Sequence, residues 1–118
     1  FAMHDKTNNM AIRGTFENKI TIMADGLKAM GHPGRIAILM HLMQHGECSC
    51  QDIVDQLPYS QSTVSGHLQK LKDGRLIKMK SVKTSSVYSI DLESIESLYG
   101  ELGDVFQLKV DKKQLSLF

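Results

Sequence analysis

Tryptophan is absent from this 118-residue chain, and tyrosine and phenylalanine together supply only 6% of it. Core packing therefore falls to leucine, isoleucine, valine and seven methionines, the last an adaptable filler of irregular gaps. No apolar run exceeds five residues (Ile36 to Met40), which excludes a hydrophobic membrane-spanning helix. The N-terminus also lacks the apolar stretch, about 7–15 residues long, of a secretory signal. Phe1-Ala2 ahead of Met3 reads as a cloning remnant, with Met3 as the expected start. There are only two cysteines, Cys48 and Cys50, too close in sequence for an ordinary disulfide with each other. A reducing, cytoplasmic setting is the expectation. The length suits a single domain over 1–118, with 1–14 read as a flexible arm and 110–118 as a tail. A domain of this size buries about two-thirds of its unfolded surface, so association with a second copy is expected to supply further burial.

What is present is a segregated charge. The net charge is only +1, yet residues 60–90 hold six basic side chains (Lys70, Lys72, Arg75, Lys78, Lys80 and Lys83) against Asp73 alone. Residues 91–104 hold five acidic side chains and no basic one. A near-neutral chain sorted in this way has one region suited to a polyanion.

Apolar periodicity divides the chain. Phe16, Ile20, Met23, Leu27 and Met30 alternate steps of four and three, the seam of an amphipathic helix. Gly31-His32-Pro33-Gly34 interrupts it, with Pro33 suited to the first turn of a second helix. Ile36, Leu39, Met40 and Leu42/Met43 are expected to form that helix's inward face, and Gly46 its stop. A short third helix is expected from about Gln51 to Leu57. Ser60 is a candidate N-cap for a fourth, with Val64, Leu68 and Leu71 inward. The period then changes to two. Leu76–Lys80 and Ser86–Ile90 read as strands around a polar, basic tip, and a last helix runs from about Leu92.

The predicted fold is mainly α with one β-hairpin, in the order ααααββα. Two short helices joined by a tight turn, the second opening with small polar residues, make a helix-turn-helix. Base edges and phosphates are approached closely by short hydroxyl and amide groups, while aliphatic residues hold the reading helix to its body. Gln61-Ser62-Thr63-Val64-Ser65 meets both needs. A lysine-bearing hairpin directly after that helix suits the flanking phosphates. The candidate DNA contacts are Ser60, Gln61, Ser62, Thr63, Ser65, His67, Gln69, Lys70, Lys80, Lys83, Thr84 and Ser85, with helix packing the alternative for His67. No Ser/His/Asp or Cys/His arrangement and no glycine-rich phosphate loop stands out, so neither catalysis nor a cofactor is expected.

Residues 27–91 resemble the ArsR family of bacterial metal- and stress-responsive winged-helix repressors. The resemblance rests on Leu27 to Leu39, on Tyr59 to Leu68, and on Val87-Tyr88-Ser89-Ile90-Asp91. It implies a homodimer built from the first and last helices, two reading helices in successive major grooves, and repression released by a signal. The dimer face is then expected at Phe16, Ile20, Met23, Leu27, Ile95, Leu98, Tyr99, Leu102 and Phe106. Double-stranded DNA and a second copy are the expected partners, with no membrane. One departure falls on the reading helix. Family members often carry Arg or His where this chain has Gly66, and a mid-helix glycine costs about 1 kcal/mol against alanine. Either the backbone approaches DNA closely there, or this chain reads less sequence than its relatives; the second is the expectation.

Metal-sensing members carry a Glu-Leu-Cys-Val-Cys-Asp-Leu run, and Glu47-Cys48-Ser49-Cys50-Gln51-Asp52-Ile53 stands in its place. Aligned on Glu47 and Asp52-Ile53, both cysteines miss the ligand positions, which hold Ser49 and Gln51. One residue along a helix rotates a side chain by about 100°, so the thiols are expected to point toward the core. A redox-sensitive pair or metal ligation are the alternatives. His41 and His45, four apart, form a second candidate ligand pair without a clear third donor. The family's other site, at the start of the last helix, is missing: Asp91-Leu92-Glu93-Ser94 has no histidine. Two other functions compete with a regulator: a winged-helix module that binds protein instead of DNA, and a thiol- or metal-responsive repressor using Cys48 and Cys50. The basic 60–90 segment argues against the first.

Overall fold

The computed structural model describes residues 10–108, with side chains from residue 17 onward. In chain order the elements are α1 (Met10–Met30), α2 (Pro33–His45), β1 (Cys48–Ser49), α3 (Cys50–Gln56), α4 (Gln61–Asp73), β2 (Ile77–Val82), β3 (Ser85–Ile90) and α5 (Leu92–Val105). The sheet is antiparallel with strand order β1-β3-β2. No described helix is long and apolar enough to cross a membrane.

Local chemistry sets each boundary. His32 caps α2, its Nδ1 accepting from the Gly34 amide at 2.9 Å, with Pro33 in the first turn. Gly46 ends that helix at φ +76°, a conformation that favours glycine. Ser49 and Asp52 form a reciprocal capping box on α3. Donation to Asp52 from the Ser49 backbone and hydroxyl holds its carboxyl below the ordinary carboxylate value. Asp91 caps α5 through the Ser94 amide at 3.2 Å.

The core joins α2, α3, α4 and the start of the hairpin. Ile38, Leu42, Ile53, Val64, Leu68, Leu71 and Leu76 are fully buried. The exit from α4 is a tight reversal: Arg75 sits at φ 65° and the Leu76 amide donates back to the Leu71 carbonyl at 3.0 Å. That reversal plants Leu76 in the core and aims β2 outward. Gly74 at the turn lies hard against α1, where an added Cβ would overlap the Ala29 side chain and approach the Asp25 carbonyl to 3.2 Å. Gly74→Ala should therefore cost about 1–3 kcal/mol by overpacking. Thermal unfolding should show a drop of about 4–8 °C per kcal/mol.

Three expectations are corrected. Helix α1 begins at Met10, inside the segment read as an arm; the Met10-Ala11-Ile12-Arg13 start carries no helix breaker. Strand β1 is an addition to the expected order: Cys48 and Ser49 pair with Tyr88 and Val87. The inward face of α2 is Ile38, Leu39 and Leu42, while Ile36, Met40 and Met43 are 42–49% exposed. That helix is apolar around most of its circumference, so spacing alone does not select a face.

Candidate nucleic-acid interface

Helix α4 divides along its length. Val64, His67, Leu68 and Leu71 are buried, and Gln61, Ser62, Thr63, Ser65, Gly66, Gln69 and Lys70 are exposed. Ser60 opens the helix as its N-cap. Its Oγ accepts from the Thr63 amide at 3.3 Å and donates to Thr63 Oγ1 at 2.9 Å. Those two side chains are thus engaged in the cap, with the Ser62 Oγ 3.3 Å from the Ser60 Oγ; Gln61, Ser62 and Ser65 are the other exposed polar groups of the first two turns. Gln69 donates to Asp73 at 2.8 Å, one turn further along.

The β2–β3 hairpin projects from the end of α4. Only Ile77 of β2 is buried; Lys78 through Val82 are exposed, and so are Lys83, Thr84 and Ser85. Lys83 occupies the tip at φ 58°. Lys80 pairs with Glu47 at 3.1 Å, with both side chains about half exposed or more. Such a surface pair is worth about 0–1 kcal/mol, so a phosphate can take Glu47's place. The basic residues singled out in the sequence thus cluster on the tail of one helix and on the wing that follows it.

His67 does not belong to this surface. It is 9% exposed, its ring centroid 4.5 Å from that of His32 and 6.0 Å, edge-on, from Tyr59. Its Nε2 is buried without a hydrogen-bond partner and abuts Gly34, where an added Cβ would come within 2.9 Å. The signal was available: 64, 67, 68 and 71 are the i, i+3, i+4, i+7 positions of one face. His67 pins α4 to the start of α2.

Burial, with the nearby His32 and Arg35, holds the His67 pKa below the ordinary 6.5. The folded state therefore prefers neutral imidazole. Its stabilising contribution is complete above pH 6.5 and is lost as pH falls from there toward the folded value. His41 is shifted in the same direction by burial and by His45, against Asp52. Chemical denaturation between pH 7 and 5 should show declining stability. His67→Leu should flatten that decline in part, leaving the His41 contribution; an unchanged slope would show that His67 does not titrate with folding.

The cysteines face inward. Cys48 is 5% exposed, its thiol 3.5 Å from the Gly46 carbonyl. Cys50 is half-buried against the same core. Burial pushes both thiols up, with Asp52 adding to it at Cys48 and a Gln61 hydrogen bond opposing it at Cys50. Metal ligation and thiol chemistry both need thiolate, which this setting disfavours. The His41 and His45 rings stand 4.4 Å apart. Among the described residues no three His, Cys, Asp or Glu side chains gather as a metal site.

Among the residues of the expected dimer face, Ile20 and Leu27 of α1 and Phe106 after α5 are exposed, the last at 66%, while Met23, Tyr99 and Leu102 are half-buried. Ile95 and Leu98 instead turn part of their surface to the protomer's own core. Leu98 in particular reaches the position of a Cβ on Gly26 of α1. Phe16 lies in α1 with its side chain outside the described residues. A cleft of about 280 Å³ runs between α1, the Gly74–Leu76 turn and α5, with Arg75, Glu93 and Glu101 in its lining.

Comparison with known proteins gives a consistent set. The family described as "Bacterial regulatory protein, arsR family" matches residues 32–79. The transcriptional repressor PagR of Bacillus anthracis is 35% identical over 75 residues, 64% of this chain and 75% of PagR. A transcriptional repressor SmtB homologue from Synechocystis sp. is 31% identical over 85 residues; the match covers 72% of this chain and 64% of that protein. The crystal structure of PagR superposes with a TM-score of 0.62 at 31% identity, over 73% of this chain and 98% of PagR.

Proposed function

The chain belongs to the ArsR family of bacterial regulatory proteins, and from that premise we propose that it is a DNA-binding transcriptional repressor acting as a homodimer in the cytoplasm. Helix α4 lies in the major groove, with Gln61, Ser62 and Ser65 toward base edges. Lys70 and the hairpin residues Lys80, Lys83, Thr84 and Ser85 lie against flanking phosphates. Ser60 and Thr63 hold the helix start in shape, and Gln69 meets DNA by exchanging its bond to Asp73. The role is regulatory and not enzymatic.

One observation carries this reading: the exposed face of α4 is neutral, short and hydrogen-bonding over its first two turns, and runs directly into an exposed hairpin bearing lysines at 78, 80 and 83. Neutral contacts can distinguish bases, while cations supply strength without sequence preference. PagR and the SmtB homologue, both named repressors, support the direction of the effect. Reconstituted transcription from a promoter containing the preferred duplex should fall as protein is added. Unchanged or increased transcript would overturn the repressor assignment.

A further inference from the structure

Helix α4 contains a glycine that the protomer itself does not require. Gly66 sits in the interior of a 13-residue helix, where glycine weakens the helix relative to alanine. Gly34, Gly46 and Gly74 have an internal reason, whereas Gly14 and Gly100, like Gly66, show none; what sets Gly66 apart is its place on the exposed polar side of α4. An added Cβ on Gly34 would press the His67 ring, one on Gly74 would overlap Ala29, and Gly46 adopts a positive φ. Gly66 has neither reason: its backbone has an ordinary negative φ, and nothing lies within 4 Å of where its Cβ would be. The position is exposed, on the side of α4 that carries Ser62, Ser65 and Gln69. Over Gln61 to Gln69 that side carries no charge; the first cation is Lys70.

A bare backbone at the centre of such a face does one thing that no side chain does. It allows another surface to come closer to the helix axis than a Cβ permits. The partner on that face, in the regulator reading on which this step rests, is the major groove of a DNA duplex. Its base-pair edges are distinguishable by the groups that they present. We infer that Gly66 is a specificity-determining position, at which one base-pair edge packs directly against the backbone of α4. The missing side chain is then a means of close readout rather than a lost contact, and it carries shape selectivity between the hydrogen bonds of Ser62, Ser65 and Gln69.

The test compares Gly66→Ala and Gly66→Ser with the unaltered protein, using the duplex recovered from a random pool by the unaltered protein and a scrambled duplex of equal length. The expected result is a rise in Tm of a few degrees, because the helix gains propensity, together with at least a tenfold loss of affinity for the selected duplex. Affinity for the scrambled duplex and the salt dependence should stay unchanged. A Gly66→Ala protein that binds the selected duplex as tightly as before would overturn the inference while leaving the regulator reading intact. Equal losses on both duplexes would also overturn it, since close readout acts on sequence. If the unaltered protein prefers no duplex at all, the regulator reading fails first and takes this inference with it.

Discussion

Leu102→Glu should yield a folded monomer that has lost its hold on specific DNA. Leu102 is a half-buried residue of α5 outside the buried core of the protomer, and with Ile20, Leu27, Tyr99 and Phe106 it belongs to the dimer face expected from the sequence. A carboxylate there faces burial without a partner whenever two copies meet. Far-ultraviolet circular dichroism should be preserved and sedimentation should report half the assembled mass. Two reading helices on one duplex bind with the second event made intramolecular, an advantage of about 10²–10⁴. Breaking the pair should therefore weaken binding to the selected duplex by about 100-fold or more. A variant that remains dimeric would move the interface away from α1 and α5.

The second large effect is electrostatic. With Lys70, Lys80 and Lys83 on phosphates in each of two protomers, a dimer neutralises about six phosphates. Affinity should then fall about a thousandfold between 50 and 200 mM salt. Each alanine substitution removes two cations per dimer and should flatten the plot of log affinity against log salt by about two. Lys83→Ala should show this in full, since Lys83 is exposed at the hairpin tip. Lys80→Ala should show less, because Lys80 already faces Glu47 at 3.1 Å. Glu47→Ala should accordingly strengthen binding at low salt. A salt-independent affinity would remove the phosphate contacts from the account.

The features that were legible in the sequence are those with a single strong local cause. Ser60 at the start of α4, the switch from helical to alternating periodicity near Leu76, and the stop at Gly46 each follow from chemistry within four residues. The burial of Cys48 was expected from a helical offset, whereas the residue lies in β1 and its pairing with Tyr88 is what holds it inward. Other features depend on what arrives from far along the chain. Strand β1 is two residues long, and only its pairing with Tyr88 and Val87 makes it a strand. Helix α2 offers apolar residues on most sides, and contact with α4 and β3 decides that Ile38 and Leu42, not Ile36 and Met40, enter the core. For His67 the sequence left two readings, a phosphate contact or a helix-packing residue, and its spacing from Val64, Leu68 and Leu71 favours the second, as its burial does.

The central claim is that α4 reads DNA as one half of a symmetric pair. Selection of bound duplexes from a random pool, followed by sedimentation of the recovered complex, tests it most directly. The account predicts an inverted repeat whose half-sites are centred about one helical turn, 10–10.5 base pairs, apart, occupied by two chains. No enriched sequence, or a single half-site occupied by one chain, would contradict it.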